Sequence, residues 1–390
     1  MLRRRFISLA PKLSALSALS ALTFAPAWMR SAYAQEGVTA KSVTIGGSGA
    51  LTGPLGDFGV TLKLGVDAAM AQINAKGGVH GRQLQFQFPD DAYVTQRTVD
   101  NVKKMISDGS AFALMSCIGT PNNTAVLPFV EESSLPYIAP LTGASSLRKP
   151  GIRNVFHVRA SYTDESQRLV QKLVTMGIKD LGIVYLDNAF GKEVLDDVTR
   201  AMAVHGLRAV AQAALATDGK NLNEAVSQVM AGKPAAVLLG SAGAVSVNLI
   251  TALKKASPAM PLAGLSVALT ASALKGLGAA CAGVAITMVF PDPNRAKIQV
   301  VRDYQSAMRA IGQQEFSSIS LESYINTRVL AEGLERAGRD LTRAKLRTAL
   351  RGLQNLDLGG FSVDYPAAAP FVGSQYVDLG VLGAGGRFIG

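Results

Sequence analysis

The sequence predicts an α/β protein built as two doubly wound, parallel-sheet lobes, with the chain crossing between them more than once. Three observations lead there. The 390 residues exceed what one ordinary core organises. Short β-rich runs alternate with amphipathic helical stretches of about ten to fifteen residues, the pattern of strand–helix–strand units on a parallel sheet. That rhythm runs once to about residue 140 and restarts after Val155. With 48% apolar and 17% charged residues, the chain can fill two cores and is not of disordered composition.

The first run begins with a strand over 43–50, ended by Gly53-Pro54. A helix over 62–76 carries Leu64, Asp67, Ala68, Ala71 and Asn74 at three- and four-residue steps and stops at Gly77-Gly78. Residues 83–88 alternate as a half-buried strand does. A helix over 94–107, an apolar strand over 111–116, a helix over 122–132 and a strand over 136–140 complete the run. The second run has helices over 163–176, 191–205, 222–230 and 245–256. Its strands fall at 181–186, 208–213, 235–240, 262–265 and 283–289. Residues 295–350 form three helical stretches with no clear strand, so they must pack back onto a lobe already begun. The tail, 361–390, is Gly-rich with alternating apolar residues and reads as short strands.

Residues 1–34 read as an export signal. Arg3, Arg4 and Arg5 precede a weakly apolar Ala/Leu/Ser run, and Ala32-Tyr33-Ala34 offers the small residues a signal peptidase needs. Cleavage is expected after Ala34, placing the protein in the periplasm. The run Arg3-Arg4-Arg5-Phe6-Ile7 is similar to a twin-arginine signal, with Leu2 where Ser or Thr is preferred, so both export routes stay open. The segment also inflates the net charge of +11. Without its five basic residues the chain has 34 Lys and Arg against 28 acids, or +6. That charge is scattered, with no basic block interleaved with aromatics, and gives no support for nucleic-acid binding. Cys117 and Cys281, 164 positions apart in apolar surroundings, read as free buried thiols.

Catalytic and cofactor signatures are thin. The stretch Gly46-Gly47-Ser48-Gly49-Ala50-Leu51-Thr52-Gly53 has GxGxxxG spacing followed by Pro54, and the next acids, Asp90 and Asp91, come nearly forty residues later. That does not fit a dinucleotide loop. His80, His157 and His205 have no metal-ligand spacing to one another or to a cysteine. There is no GxSxG, HExxH or phosphate-binding lysine loop. Neither catalytic residues, nor a metal, nor a cofactor is expected. What the chain does offer is small polar residues at strand-to-helix junctions. Gly119-Thr120-Pro121-Asn122-Asn123-Thr124 opens a helix where backbone N–H groups suit an anion, and equally reads as a plain N-cap. Leu141-Thr142-Gly143-Ala144-Ser145 has the same character. Such junctions lie at the carboxyl ends of strands, where open α/β sheets bind ligands.

At these residues the chain resembles the class I periplasmic binding proteins of the branched-chain-amino-acid type, the substrate-binding components of ABC transporters. The opening VTIGGSGALTGPLGDFG, the helix ending INAKGG, then PDDAYVTQRTVD, CIGTPNNTAV, APLTGASSLR, VYLDNAFGKEVLDDV and the late SLESYINTRVLAEGLERAG carry the resemblance in order. It implies two lobes joined by a three-segment hinge, at 41–160 plus 290–364 and at 161–289 plus 365–390. It further implies a monomer that closes on a small, carboxylate-bearing ligand and delivers it to a membrane permease. A bilobed sensor, or an exported α/β enzyme, is the alternative.

Residue by residue, the resemblance implies that Phe58 covers the ligand, that Thr120 and Asn122 hold its carboxylate, and that Leu141, Thr142, Gly143 and Ala144 form the following loop. Phe190 would close from the second lobe, with Tyr162 and Asp164 at the crossing segment. Two positions depart from the pattern. Ser266 stands where amino-acid binders place an acid that pairs with the ligand ammonium. A buried ammonium without a carboxylate is costly, so unless Asp164, Asp187 or Glu322 substitutes, the expected ligand shifts towards acids lacking an ammonium. Tyr93 stands where the family has a cysteine, which leaves Cys117 without that partner.

Overall fold

The computed structural model describes residues 36–389; the expected export segment lies outside the described residues. Its first sheet is wholly parallel. It is built from β1 (Ser42–Gly46), β2 (Gln83–Gln87), β3 (Ala113–Met115), β4 (Tyr137–Ile138), β5 (Val155–His157) and, late in the chain, β13 (Phe371–Val372). The strand order is β13-β5-β4-β3-β1-β2. Between these strands run α1 (Gly56–Ala75), α2 (Thr95–Ser107) and α3 (Thr120–Glu132).

The second sheet contains β6 (Leu181–Leu186), β7 (Ala211–Leu215), β8 (Ala236–Gly240), β9 (Leu262–Gly264), β10 (Val284–Met288), β14 (Asp378–Leu382) and β15 (Phe388–Ile389). Its order is β15-β14-β10-β9-β8-β6-β7, with β14 and β15 joining antiparallel. The helices α4 (Tyr162–Thr175), α5 (Ala189–Val204), α6 (Leu222–Ala231), α7 (Gly243–Ala256) and α8 (Ala271–Leu277) belong to it. Strands covered on both faces read as near-continuous apolar runs, and β3 and β8 are apolar and buried at every position.

After β10 the chain returns to the first lobe as α9 (Gln299–Ala310), α10 (Ser318–Ala337) and α11 (Arg343–Arg351). The small hairpin β11 (Leu356–Asp357) and β12 (Ser362–Val363) follows. Helix α10 lies against α1 so closely that a Cβ on Gly65 would sit 2.0 Å from the Ser320 carbonyl oxygen. The late helices thus complete the first lobe. The chain crosses between sheets after β5, after β10 and after β13. The last crossing differs from the expected bounds: β13 pairs with β5, so residues 371–372 belong to the first sheet and not with the tail that forms β14 and β15.

Other differences are local. The first strand ends at Gly46, because residues 49–52 turn away to bond the Asp90-Asp91 loop. Helix α1 starts six residues early, straight from the turn at Gly53–Leu55. Strand β5 and helix α8 were not expected; at three residues and about two turns they repeat too little of a pattern to stand out. Cys117 and Cys281 are free and buried.

Candidate functional site

A cleft enclosing about 330 Å³ of empty space lies between the lobes, at the carboxyl ends of the strands. The first lobe contributes Leu55, Phe58, Tyr93, Ile118, Gly119, Thr120 and Leu141; the second contributes Tyr162, Phe190, Ala242 and Val267. Tyr162 and Phe190 meet edge to face, with centroids 5.4 Å apart. The walls are therefore apolar and largely aromatic, the usual lining of a small-molecule site.

The floor is the start of α3. Gly119 precedes it at φ 93°, with no side-chain cap and with Pro121 in the first turn. The N–H groups of Thr120 and Asn122 have no hydrogen-bond acceptor among the described residues. A thirteen-residue helix thus presents two free N–H groups and its positive dipole end to the cleft. The Thr120 hydroxyl bonds that of Thr142 at 2.8 Å, and Thr142 also accepts from the Ala144 N–H at 3.2 Å.

The residues marked in the sequence divide into two groups. Phe58, Thr120, Leu141, Tyr162 and Phe190 line the cleft together. Thr142 is buried directly behind Thr120. Gly143 passes so near Tyr162 that a Cβ there would meet its ring at 2.4 Å, and its carbonyl accepts the Tyr162 N–H at 2.8 Å. Ala144 is buried, with its carbonyl accepting from Arg148 at 2.9 Å. The others are engaged elsewhere. The Asn122 side chain accepts from Thr95 and donates to the Ile118 carbonyl. Asp164 forms a capping box with Ser161 at the head of α4. Ser266 turns to a buried charge cluster.

That cluster went unmarked in the sequence except for Glu322. Arg159, 1% exposed, leaves β5 and donates to Glu322 of α10 at 3.4 Å and to Glu165 of α4 at 3.2 Å. It also donates to the Ser266 hydroxyl. Glu165 further accepts the Ser266 N–H at 2.8 Å, the Ser266 hydroxyl at 3.1 Å and the Thr287 hydroxyl. Burial opposes the guanidinium's charge, but Glu322 and Glu165 outweigh it and hold Arg159 above its ordinary pKa. For Glu322 burial dominates and raises the pKa despite Arg159. Neighbouring Arg148 donates only to backbone carbonyls of residues 142, 144, 159 and 160; burial, then the charge of Arg159, lowers its pKa to about 10. The cluster lies behind Tyr162, whose ring centroid is 5.7 Å from the Arg159 guanidinium carbon. Beyond Ser266 a larger space of about 800 Å³ runs between the lobes, lined by Thr287, Phe290, Phe316 and Glu322.

Comparison with known proteins places this geometry. Residues 42–370 match the family model described as periplasmic binding protein. The Leu/Ile/Val-binding protein BraC3 of Rhizobium johnstonii is 24% identical over 316 residues, 79% of this chain and 83% of that protein. A leucine-, isoleucine-, valine-, threonine- and alanine-binding protein of Pseudomonas aeruginosa is 24% identical over 82% of this chain and 84% of its own length. The crystal structure of a substrate-binding periplasmic protein from Ralstonia solanacearum superposes with a TM-score of 0.83 at 30% identity, over 89% of this chain and 99% of that one.

Proposed function

The chain belongs to the periplasmic binding protein family, class I, of the leucine/isoleucine/valine-binding type, and from that premise we propose that it captures a small apolar carboxylate between its lobes for delivery to an ABC permease. One observation carries the ligand class: the uncapped start of α3 opens onto an aromatic cleft. The free N–H groups of Thr120 and Asn122 and the Thr120 hydroxyl suit a carboxylate. Phe58, Leu141, Tyr162 and Phe190 suit an apolar or aromatic body, and Thr142, Gly143 and Ala144 support the loop behind it. Because the walls come from both lobes, only the closed form makes all contacts, and a ligand stabilises closure by that difference. The capture step takes place in the periplasm, after removal of residues 1–34.

The names of the curated relatives favour a second reading, a branched-chain amino acid. An ammonium needs a carboxylate with free lone pairs, and Glu165, in the charge cluster behind Tyr162, already accepts from Arg159, Ser266 and Thr287. A thermal-shift screen separates the two. 4-Methylpentanoate and benzoate at millimolar concentration are expected to raise the melting temperature by several degrees, and leucine by much less. A large shift with leucine and none with its deaminated analogue would reject the acid reading.

A further inference from the structure

Tyr93 occupies the cleft by an unusual route. Ala92 and Tyr93 have φ of 49° and 61°, two consecutive non-glycine residues in the left-handed region that most side chains avoid. Two carboxylates hold the bend. Asp90 accepts the Ala92 N–H at 2.9 Å, and Asp91 accepts the Tyr93 N–H at 2.8 Å. Asp90 is fixed in turn by the Leu51 N–H at 2.7 Å and the Thr52 hydroxyl at 2.6 Å, and Asp91 by the hydroxyls of Ser48 at 2.9 Å and Thr98 at 2.8 Å. A strained backbone persists only where its surroundings over-determine it, and such positions cluster at ligand clamps.

The bend carries the ring over the start of α3. A Cβ on Gly119 would fall 2.4 Å from the Tyr93 ring and 2.6 Å from its hydroxyl. The ring therefore fills the space a side chain at the N-cap would take, which is also why that helix has no cap of its own. With Phe58, Tyr162 and Phe190 it gives the cleft four aromatic walls. Its hydroxyl makes no hydrogen bond among the described residues and is not one of their fully buried unpaired polar atoms, so it is open to a partner. Burial pushes its pKa well above the ordinary value, so the group stays protonated and able to donate.

Resting on the carboxylate reading above, we propose that Tyr93 is a specificity-determining residue of the cleft. Its hydroxyl donates to the carboxylate seated at the start of α3, and its ring selects flat, aromatic acids over bulkier saturated ones. The hydroxyl supplies affinity for any carboxylate, whereas the ring supplies shape.

Titration calorimetry of the full chain with benzoate and cyclohexanecarboxylate tests both parts, comparing wild type with Tyr93→Phe, Tyr93→Ala and Phe190→Ala. Tyr93→Phe is expected to weaken both acids about tenfold or more, since a hydrogen bond to a charged group is lost, while their affinity ratio holds. Tyr93→Ala is expected to erase the preference for benzoate. The ratio does not depend on the fraction of folded protein, so impaired folding of a variant cannot imitate this result. If Tyr93→Phe binds both acids within about twofold of wild type while Phe190→Ala abolishes binding, the assignment of Tyr93 is overturned and the cleft stands. If neither acid binds wild type, or Phe190→Ala binds as wild type does, the carboxylate reading fails and takes the Tyr93 assignment with it.

Discussion

Replacing Arg159 by Met should destabilise the protein by about 3 kcal/mol, at the low end of the roughly 3–5 kcal/mol expected when one partner of a buried ion pair is removed. The structure sets the place within that range. Arg159 heads the largest fully buried side chains among the described residues, and two carboxylates depend on it. Glu165 would keep the Ser266 N–H, the Ser266 hydroxyl and the Thr287 hydroxyl, so it loses one donor of four. Glu322 would lose the cation that it faces through both oxygens, but its pKa is already raised, so taking up a proton limits the penalty. Urea unfolding followed by circular dichroism at pH 7.5 reads the difference. The triple variant Arg159→Met, Glu165→Gln, Glu322→Gln should recover most of the loss, because neutral groups need no counter-ion. A loss below about 1 kcal/mol for Arg159→Met would show that the cluster is not a coupled unit and would refute this reasoning.

Glu322→Gln should behave oppositely with pH. A carboxyl whose folded pKa is raised binds its proton more tightly when folded, so wild type loses stability as pH climbs above the ordinary 4.5. The variant should therefore match wild type near pH 4.5 and gain on it towards pH 8; unfolding midpoints across that range check this, and a deficit that grows with pH would contradict it. Cys117, fully buried with its thiol pushed up to about 11 by burial, should resist iodoacetamide at pH 8 in a Cys281→Ser background. Rapid native-state labelling, counted by mass spectrometry, would show that the first lobe opens around it.

The doubled strand–helix rhythm made the fold legible, because a 3.6-residue or continuous apolar pattern survives wherever an element is long enough to repeat it. Strand β5 has only three residues and helix α8 about two turns, too few to repeat a pattern clearly, so neither stands out in the sequence. The cleft was half legible. Thr120 and Leu141 sit at strand ends with small polar neighbours, a local signal, whereas Ala242 and Val267 are anonymous apolar residues until the lobes bring them together. Tyr93 was visible as a departure from the family pattern. Its role depends on two backbone angles and on the absence of a side chain at Gly119, which no spacing rule encodes. Arg159 was hidden for a similar reason: an arginine after a strand reads as a surface residue, and its two carboxylates lie 6 and 163 positions away.

Ser266 belongs to the charge cluster as a whole. From the sequence it is a gap where an acid belongs. In the fold its N–H and hydroxyl both hold Glu165, so a carboxylate does reach this place, supplied by α4 instead of by the loop after β9. That carboxylate comes with its own cation, because Arg159 reaches it across the lobes from the end of β5 and reaches Glu322 within the first lobe. A ligand ammonium would have to be stripped of water and then compete with a guanidinium already fixed between two carboxylates and Ser266, a poor exchange in a buried site. Under the proposed function a ligand without an ammonium would meet no such penalty: its carboxylate would go to the uncapped helix and the rest of it to apolar and aromatic walls. The same guanidinium ties α10 of the first lobe to α4 and Ser266 of the second, so the buried ion pair links the two lobes beside the point where the chain first crosses between them.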